Sequence, residues 1–128
     1  MNIVRGSAKF ANESAAHGWV VGHMHDGLAY TKDHEIKLWD YPTQPDYPPK
    51  TFHGTEFIVI HEGVLRFRLE KDGETREIVL NGSEFEYVIL EPGITKEVFV
   101  EEAPAVGVTV RWPSTPSSNV VHTHGKGG

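Results

Sequence analysis

From residue 18 onward, apolar and polar side chains mostly trade places with a period of two, the pattern of strands that turn one face to a core. Gly18 to Met24 (GWVVGHM) puts Trp19, Val21, His23 and His25 on one parity and Val20, Gly22 and Met24 on the other. Glu35 to Tyr41 (EIKLWDY) sets Ile36 and Leu38 against Lys37 and Trp39, as a half-buried strand does. Thr55 to His61 departs from this rhythm. Phe57, Ile58, Val59 and Ile60 follow one another without a polar break, which suits a strand covered on both faces. Glu62-Gly63 reads as a tight turn, after which Val64 to Glu70 alternates again, with Leu65, Phe67 and Leu69 opposed to Arg66 and Arg68. Thr75–Leu80, Phe85–Leu90, Lys96–Glu101 and Ala105–Trp112 complete the series, and Val106, Val108, Val110 and Trp112 share a face in the last.

The punctuation agrees with strands. Lys71-Asp72-Gly73 and Asn81-Gly82 are hairpin signals, and Glu91-Pro92-Gly93 ends a strand. Pro42 to Pro49 (PTQPDYPP) excludes a helix or a central strand there. No convincing amphipathic helix is visible. About eight short strands predict an all-β antiparallel sandwich or barrel of jelly-roll type. The 128 residues fit one domain, divided into an N-terminal arm (1–17), a β-barrel (18–114) and a Pro/Ser/Gly/His tail (115–128) that reads as mobile or loosely docked.

Composition narrows the function classes. The formal net charge of −6 leaves no basic excess to neutralise phosphates, so nucleic acid is not expected as a partner. No apolar stretch approaches a membrane span, and MNIVRGSAKF lacks the apolar centre of a signal peptide, so cytoplasmic residence is expected. With no cysteine, disulfides, thiolate nucleophiles and cysteine-bound zinc all drop out. A metal would have to rest on carboxylates and on the eight histidines.

Glu56 is the residue that asks for an explanation. At the mouth of an apolar run it either caps the strand in water or points inward, and an inward carboxylate needs a cation, a metal or hydrogen bonds. His23 and His25 stand at i and i+2 on a strand and would make a two-histidine, one-carboxylate set with Glu56. The favoured reading, however, places His25 past the strand end, in water beside Asp26-Gly27. His53 stands three residues before Glu56. His122 and His124 lie in the tail, where such a pair picks up stray metal, while His17, His34 and His61 read as surface or turn residues. Trp19, Trp39, Trp112, Phe57 and Tyr87 are either core or the wall of a pocket. Arg111, beside Trp112, is placed to clamp a carboxylate or phosphate. No Ser-His-Asp spacing, phosphate-cradling glycine loop or dinucleotide fingerprint is present.

Glu56 followed by six residues and Gly63 resembles the second half of the first cupin motif, and Gly82 with Pro92-Gly93 resembles the second. Gly18-Trp19, Gly22-His23, Glu35-Ile36-Lys37 and the closing Thr109-Val110-Arg111-Trp112-Pro113-Ser114 resemble a subfamily of small bacterial cupins often labelled signal peptidase I, a label for which this sequence offers no serine–lysine pair in a recognisable setting. The resemblance covers roughly residues 18 to 114 and implies a double-stranded β-helix and a homodimer. It also departs from the family. Where metal-binding cupins carry His-x-His before the glutamate, this chain has Pro49 to Thr55 with His53 alone. Where the second motif places a histidine, it has Lys96. An ammonium has no lone pair and repels a metal, yet it can neutralise an inward glutamate. The resulting expectation is a small-molecule binding protein with a degenerate metal site and no metal cofactor. Glu56 and Lys96 would lie inside, with Arg111, His23 and His53 near the mouth, around an anionic or polar ligand. Two alternatives stand beside it. One is an oxygenase, isomerase or lyase using Fe, Mn, Ni or Zn on His23, His25, His53 and Glu56, or a metal-free variant with Lys96 or a histidine as acid–base. The other is a non-catalytic interaction module with a filled barrel.

Overall fold

The structure, a computed structural model, describes residues 1–122. In chain order its elements are a short helix α1 (Ala8–Glu13) and eight strands: β1 (Trp19–Val21), β2 (Glu35–Tyr41), β3 (Lys50–Phe52), β4 (Thr55–Lys71), β5 (Glu74–Asn81), β6 (Tyr87–Leu90), β7 (Ile94–Trp112) and β8 (Asn119–Val121). Two long strands carry the architecture. β4 and β7 pair antiparallel twice, first as Thr55–Ile60 against Gly107–Trp112 and then as Val64–Glu70 against Thr95–Glu102. Each therefore belongs to two half-sheets, one ordered β1-β2-β7-β4-β6 and the other β8-β3-β7-β4-β5. This is the expected all-β double-stranded β-helix, the jelly-roll barrel of the cupin fold.

The crossing between half-sheets corrects one expectation. Glu62-Gly63 is not a turn between two strands. The register shifts between Ile60 and Leu65 while the strand runs on, so the extra residues form bulges that bend it. Gly63 has φ +83°, and a Cβ there would press against the carbonyl oxygens of Glu102 and Pro104, so only glycine lets β4 and β7 approach at the bend. For the same reason Lys96–Glu101 and Ala105–Trp112, read as two strands, are one. The Asp72-Gly73 hairpin is as expected: Lys71 faces Glu74 across a two-residue loop whose residues both have positive φ.

Three small elements escaped the hydrophobic pattern. α1 buries no residue. It is capped by Ser7, whose hydroxyl accepts from Phe10 N at 3.1 Å, and it is pinned to β2 by Asn12, which donates to Leu38 O at 2.8 Å. β3 and β8 are three-residue strands paired with each other. β8 lies within the segment read as a tail, and His122 Nε2 sits 2.6 Å from Thr51 Oγ1; His124 lies outside the described residues.

The core lies between the half-sheets around Ile58, Ile60, Leu65, Phe67 and Trp39. In two strands the aliphatic row is not the inward one. In β2 the inward residues are Glu35, Lys37 and Trp39, while Ile36 and Leu38 face out, half-buried. In β7 the inward residues are Ala105, Gly107, Thr109 and Arg111, and the valine row faces out. The register lines up the outer residues across strands: Ile36, Val110, Phe57 and Ile89 in one row, Leu38, Val108, Val59 and Tyr87 in the next. Among the described residues no helix is long and apolar enough to cross a membrane.

Candidate functional site

The inward polar residues of β2, β4 and β7 meet because the strands lie side by side in register. Glu35 and Glu56 both stand opposite Arg111, and Lys37 stands opposite Thr109. On the other half-sheet Lys50 stands opposite Lys96. The two groups close on a cavity of about 60 Å³ inside the barrel. Its floor is Ile58, Leu65 and Phe67, one wall is Trp39, Tyr41 and Tyr47, and its charged lining is Lys37, Lys50, Lys96, Arg111 and Glu56. Four cationic side chains thus surround one carboxylate, in a chain whose overall charge is negative.

Glu56 is 4% exposed and points inward. Lys96 Nζ donates to its Oε1 at 2.9 Å, and Arg111 Nε lies 3.2 Å from its Oε2. Burial by itself would push this carboxyl up. The Lys96 ammonium and the Arg111 guanidinium outweigh burial and hold Glu56 below the usual carboxylate range. Lys96 does not gain correspondingly: burial and the nearby guanidinium push it below the ordinary lysine value in spite of Glu56. The asymmetry is physical. The carboxylate has two cations beside it, whereas the ammonium has one anion and a second cation.

Arg111 is 7% exposed and is fixed by stacking, with its guanidinium carbon 4.4 Å from the Trp19 ring centroid and 4.8 Å from that of Phe52. Nη1 donates to Asn119 Oδ1 at 3.2 Å, and Nε lies 3.8 Å from Glu35. Although Nε is close to Glu56, its hydrogen is not aligned with that carboxylate, and Nε is a buried donor with no hydrogen bond among the described residues.

Lys37 is 8% exposed. Its ammonium donates to the Tyr41 hydroxyl at 3.0 Å and lies 4.7 Å from the Tyr47 ring centroid. Burial first, then Lys50, Lys96 and Arg111, push its pKa down to about 7. Lys50 is lowered by burial and by Arg111 and Lys96, and its ammonium lies 5.0 Å from the same Tyr47 ring centroid. Burial raises the Tyr41 phenol well above its ordinary value, so it stays protonated. Tyr47 is held over the cavity by its edge contact with Tyr41 at 6.1 Å and by the proline-rich loop that carries it. Gln44 anchors that loop to the β7 edge, donating to Val98 O at 2.8 Å and accepting from Val100 N at 2.7 Å.

Of the sequence-derived candidates, Glu56, Lys96 and Arg111 come together, and the histidines do not join them. His23, expected near the mouth, lies behind Arg111: its Nδ1 is 2.7 Å from Ser114 Oγ and 3.6 Å from Glu35, and it does not line the cavity. His25 turns away, its Nε2 bonded to the Trp19 carbonyl at 2.8 Å. His53 is exposed, and only its backbone is held, through Ser118 O at 2.6 Å. Lys37, Lys50, Tyr41 and Tyr47 were missed. For Lys37 the available signal was its parity with Trp39 and Tyr41. A wider depression of about 660 Å³ opens between β5 and β6, but its floor is apolar (Leu69, Ile78, Val88, Ile94) and its rim charges pair with each other as Lys71–Glu91 and Arg76–Glu74.

No family model and no curated protein sequence matches the chain. Solved structures do. The DMSP lyase DddQ from Ruegeria pomeroyi DSS-3 aligns with TM-score 0.56 and 14% identity over 76% of this chain and 47% of its own. A single-residue variant of the oxalate decarboxylase of B. subtilis aligns with TM-score 0.61 and 10% identity over 72% of this chain and 25% of its own. Streptomyces albus HEPD with 2-hydroxyethylphosphonate and Fe(II) bound aligns with TM-score 0.54 and 19% identity over 66% of this chain and 19% of its own. The chain spans less than half the length of each, and identities this low establish the fold alone.

Since one of these neighbours holds Fe(II), the donor set here can be tested against a metal. Among the described residues no three His, Cys, Asp or Glu side chains converge, so the set His23, His25, His53 and Glu56 is not assembled. Inside the barrel a divalent cation would find one carboxylate and four cationic groups, which repel it and offer no lone pair in their charged forms. The described residues do not fit a resident metal.

Proposed function

We propose that the protein is a small cupin, of the subfamily its sequence resembles, that binds a small oxyanion in the barrel, with a lysine–glutamate–arginine cluster in the place of a metal. The observation that carries this reading is the charge of the cavity lining: Lys37, Lys50, Lys96 and Arg111 against Glu56 alone. Burial first, and then the mutual repulsion of the cations, depress Lys37 and Lys50, and an anion would relieve the second of these causes. It would also give the orphaned Arg111 Nε a neighbourhood richer in acceptors. Size sets the class. At about 10–15 Å³ per water-sized site, about 60 Å³ admits roughly four to six heavy atoms, which is a two- or three-carbon carboxylate rather than a nucleotide or sugar phosphate.

The test is thermal unfolding of the full-length protein at low salt with oxalate, glyoxylate, acetate and phosphate, and with glycerol and ethylenediamine as neutral and cationic controls. The carboxylates should raise Tm in a saturable way and the controls should leave it unchanged. Stabilisation by the diamine, or by none of these compounds, counts against the reading.

The protein is further proposed to act in the cytoplasm as a homodimer. The dimer is supported by the apolar outer face of β2, β7, β4 and β6, on which Tyr87, Ile89 and Trp112 are exposed and Phe57, Val59, Val108 and Val110 half-buried. A second copy presents the same face to it, as a two-fold interface requires.

A further inference from the structure

Resting on the oxyanion reading, we infer that the Lys37 side chain is a covalent nucleophile and that the natural ligand class is a small 2-oxo carboxylate, which it captures as an imine. Three observations meet at this amine. It lines the same cavity as Lys50, Lys96 and Arg111, cations that can hold the carboxylate of a ligand whose carbonyl Nζ attacks. The one carboxylate in the lining, Glu56, is already held by Lys96 at 2.9 Å and flanked by Arg111, so the hydrogen-bond partner of Lys37 is a neutral phenol, Tyr41, at 3.0 Å. And the cavity holds about the number of atoms in glyoxylate or pyruvate.

The electrostatics suit the chemistry. Every element around Nζ contributes a group that faces it: Trp19 from β1, Tyr41 from β2, Tyr47 and Lys50 from the loop and β3, Glu56 from β4, Lys96 and Arg111 from β7. Burial and the three cations outweigh Glu56, so near pH 7 about half of Lys37 is the free amine, against about one part in three thousand for an ordinary lysine. In the reaction the amine lone pair forms the C–N bond and the carbonyl π pair moves to oxygen. The oxygen takes up the proton that the nitrogen gives up, relayed through the Tyr41 hydroxyl, which stays protonated throughout. Loss of the hydroxyl with the remaining N–H proton, as water, then leaves the C=N bond. Amine plus carbonyl gives imine plus water, with no oxidant or reductant.

The experiment treats full-length protein with glyoxylate and cyanoborohydride at pH 7 and maps the modified lysines by peptide mass spectrometry, alongside oxalate-dependent thermal shift on the same sample. Lys37 should be alkylated at least about tenfold faster than the exposed Lys9 and Lys32, the larger free-amine fraction being partly offset by lower basicity. Its rate should level off above about pH 8 while theirs keeps rising. Excess oxalate should protect Lys37 and leave Lys9 and Lys32 unaffected. Equal labelling of all lysines overturns the inference. So does a silent Lys37 in protein that oxalate still stabilises, which would leave the anion site standing. Silence at Lys37 with no oxalate shift overturns both readings. The Lys37→Arg chain, which lacks the primary amine, should give no adduct at position 37. Because the wild-type map alone decides the matter, a poorly folding variant would not blunt the test.

Discussion

Replacing Lys37 with methionine should make the protein more stable at pH 6 and progressively less so as the pH rises. The side chain is 8% exposed, lies among cations and has its pKa lowered from 10.5 to about 7. A lysine with a depressed folded-state value binds fewer protons folded than unfolded between those two values, so stability rises with pH across that window. Below about pH 7 the cost of burying the ammonium is fully present; above about 10.5 it is gone. Each unit corresponds to about 1.4 kcal/mol, so the full span is about 5 kcal/mol, an upper bound because the buried site can relax. From pH 6 to pH 9 only the two units above 7 count, about 2.7 kcal/mol. Methionine keeps most of the volume and loses the Tyr41 hydrogen bond, a loss of about 1 kcal/mol that is independent of pH over this range. The assay is urea unfolding of both proteins at half-unit steps from pH 6 to 9. The stability difference, variant minus wild type, should fall by about 2–3 kcal/mol across the series. A difference that stays flat would mean the amine is not held in a cost-bearing environment and would refute the reasoning.

Three further outcomes are expected. Lys96→Met leaves Glu56 buried with Arg111 as its remaining neighbour and should cost about 3 kcal/mol in urea unfolding; the Glu56→Gln/Lys96→Met double variant should be less damaged than the sum of the single ones, and additivity would argue against a coupled pair. Gly63→Ala puts a Cβ against two β7 carbonyls at φ +83° and should destabilise by about 1–3 kcal/mol, whereas Gly73→Ala, at φ +80° but with open space around it, should cost less. Val59→Lys on the outer face should lower the sedimentation coefficient from that of a dimer to that of a monomer with the far-UV circular dichroism unchanged; an unchanged coefficient would place the interface elsewhere.

The fold was legible because most strands announce themselves twice, by alternation and by turn residues such as Asp72-Gly73. What was not legible was side. β2 and β7 each have two plausible faces, one mainly aliphatic and one carrying charged or polar residues, with Trp39 among them in β2. The rule that aliphatic residues face the core picks the wrong one, because this barrel buries Lys37 and Arg111 and turns its valines outward. That inversion is why Lys37 was not singled out from the pattern and why the site was found only in part. Glu56 and Lys96 could be paired from motif positions alone. Lys50 could not, since its place opposite Lys96 depends on β3, a three-residue strand after a proline-rich loop with no pattern of its own. Gly63 signalled a special backbone without saying whether that was a turn or a bulge, because the difference lies in the partner strand. His23 and His53 were expected near the mouth, but local contacts hold them elsewhere, His23 against Ser114 and the His53 backbone against Ser118.

The most direct test of the cationic cavity is isothermal titration calorimetry of oxalate into the full-length protein in EDTA-containing buffer at low salt, for wild type and for Lys50→Ala. Lys50 is half-buried at a strand edge, so its loss should spare the fold. Saturable binding of one oxalate per chain, weakened at least about tenfold in Lys50→Ala and falling with added salt, is the expected result. No binding in EDTA, with binding restored only by a divalent metal that Glu56→Gln abolishes, would contradict it and return the site to metal chemistry.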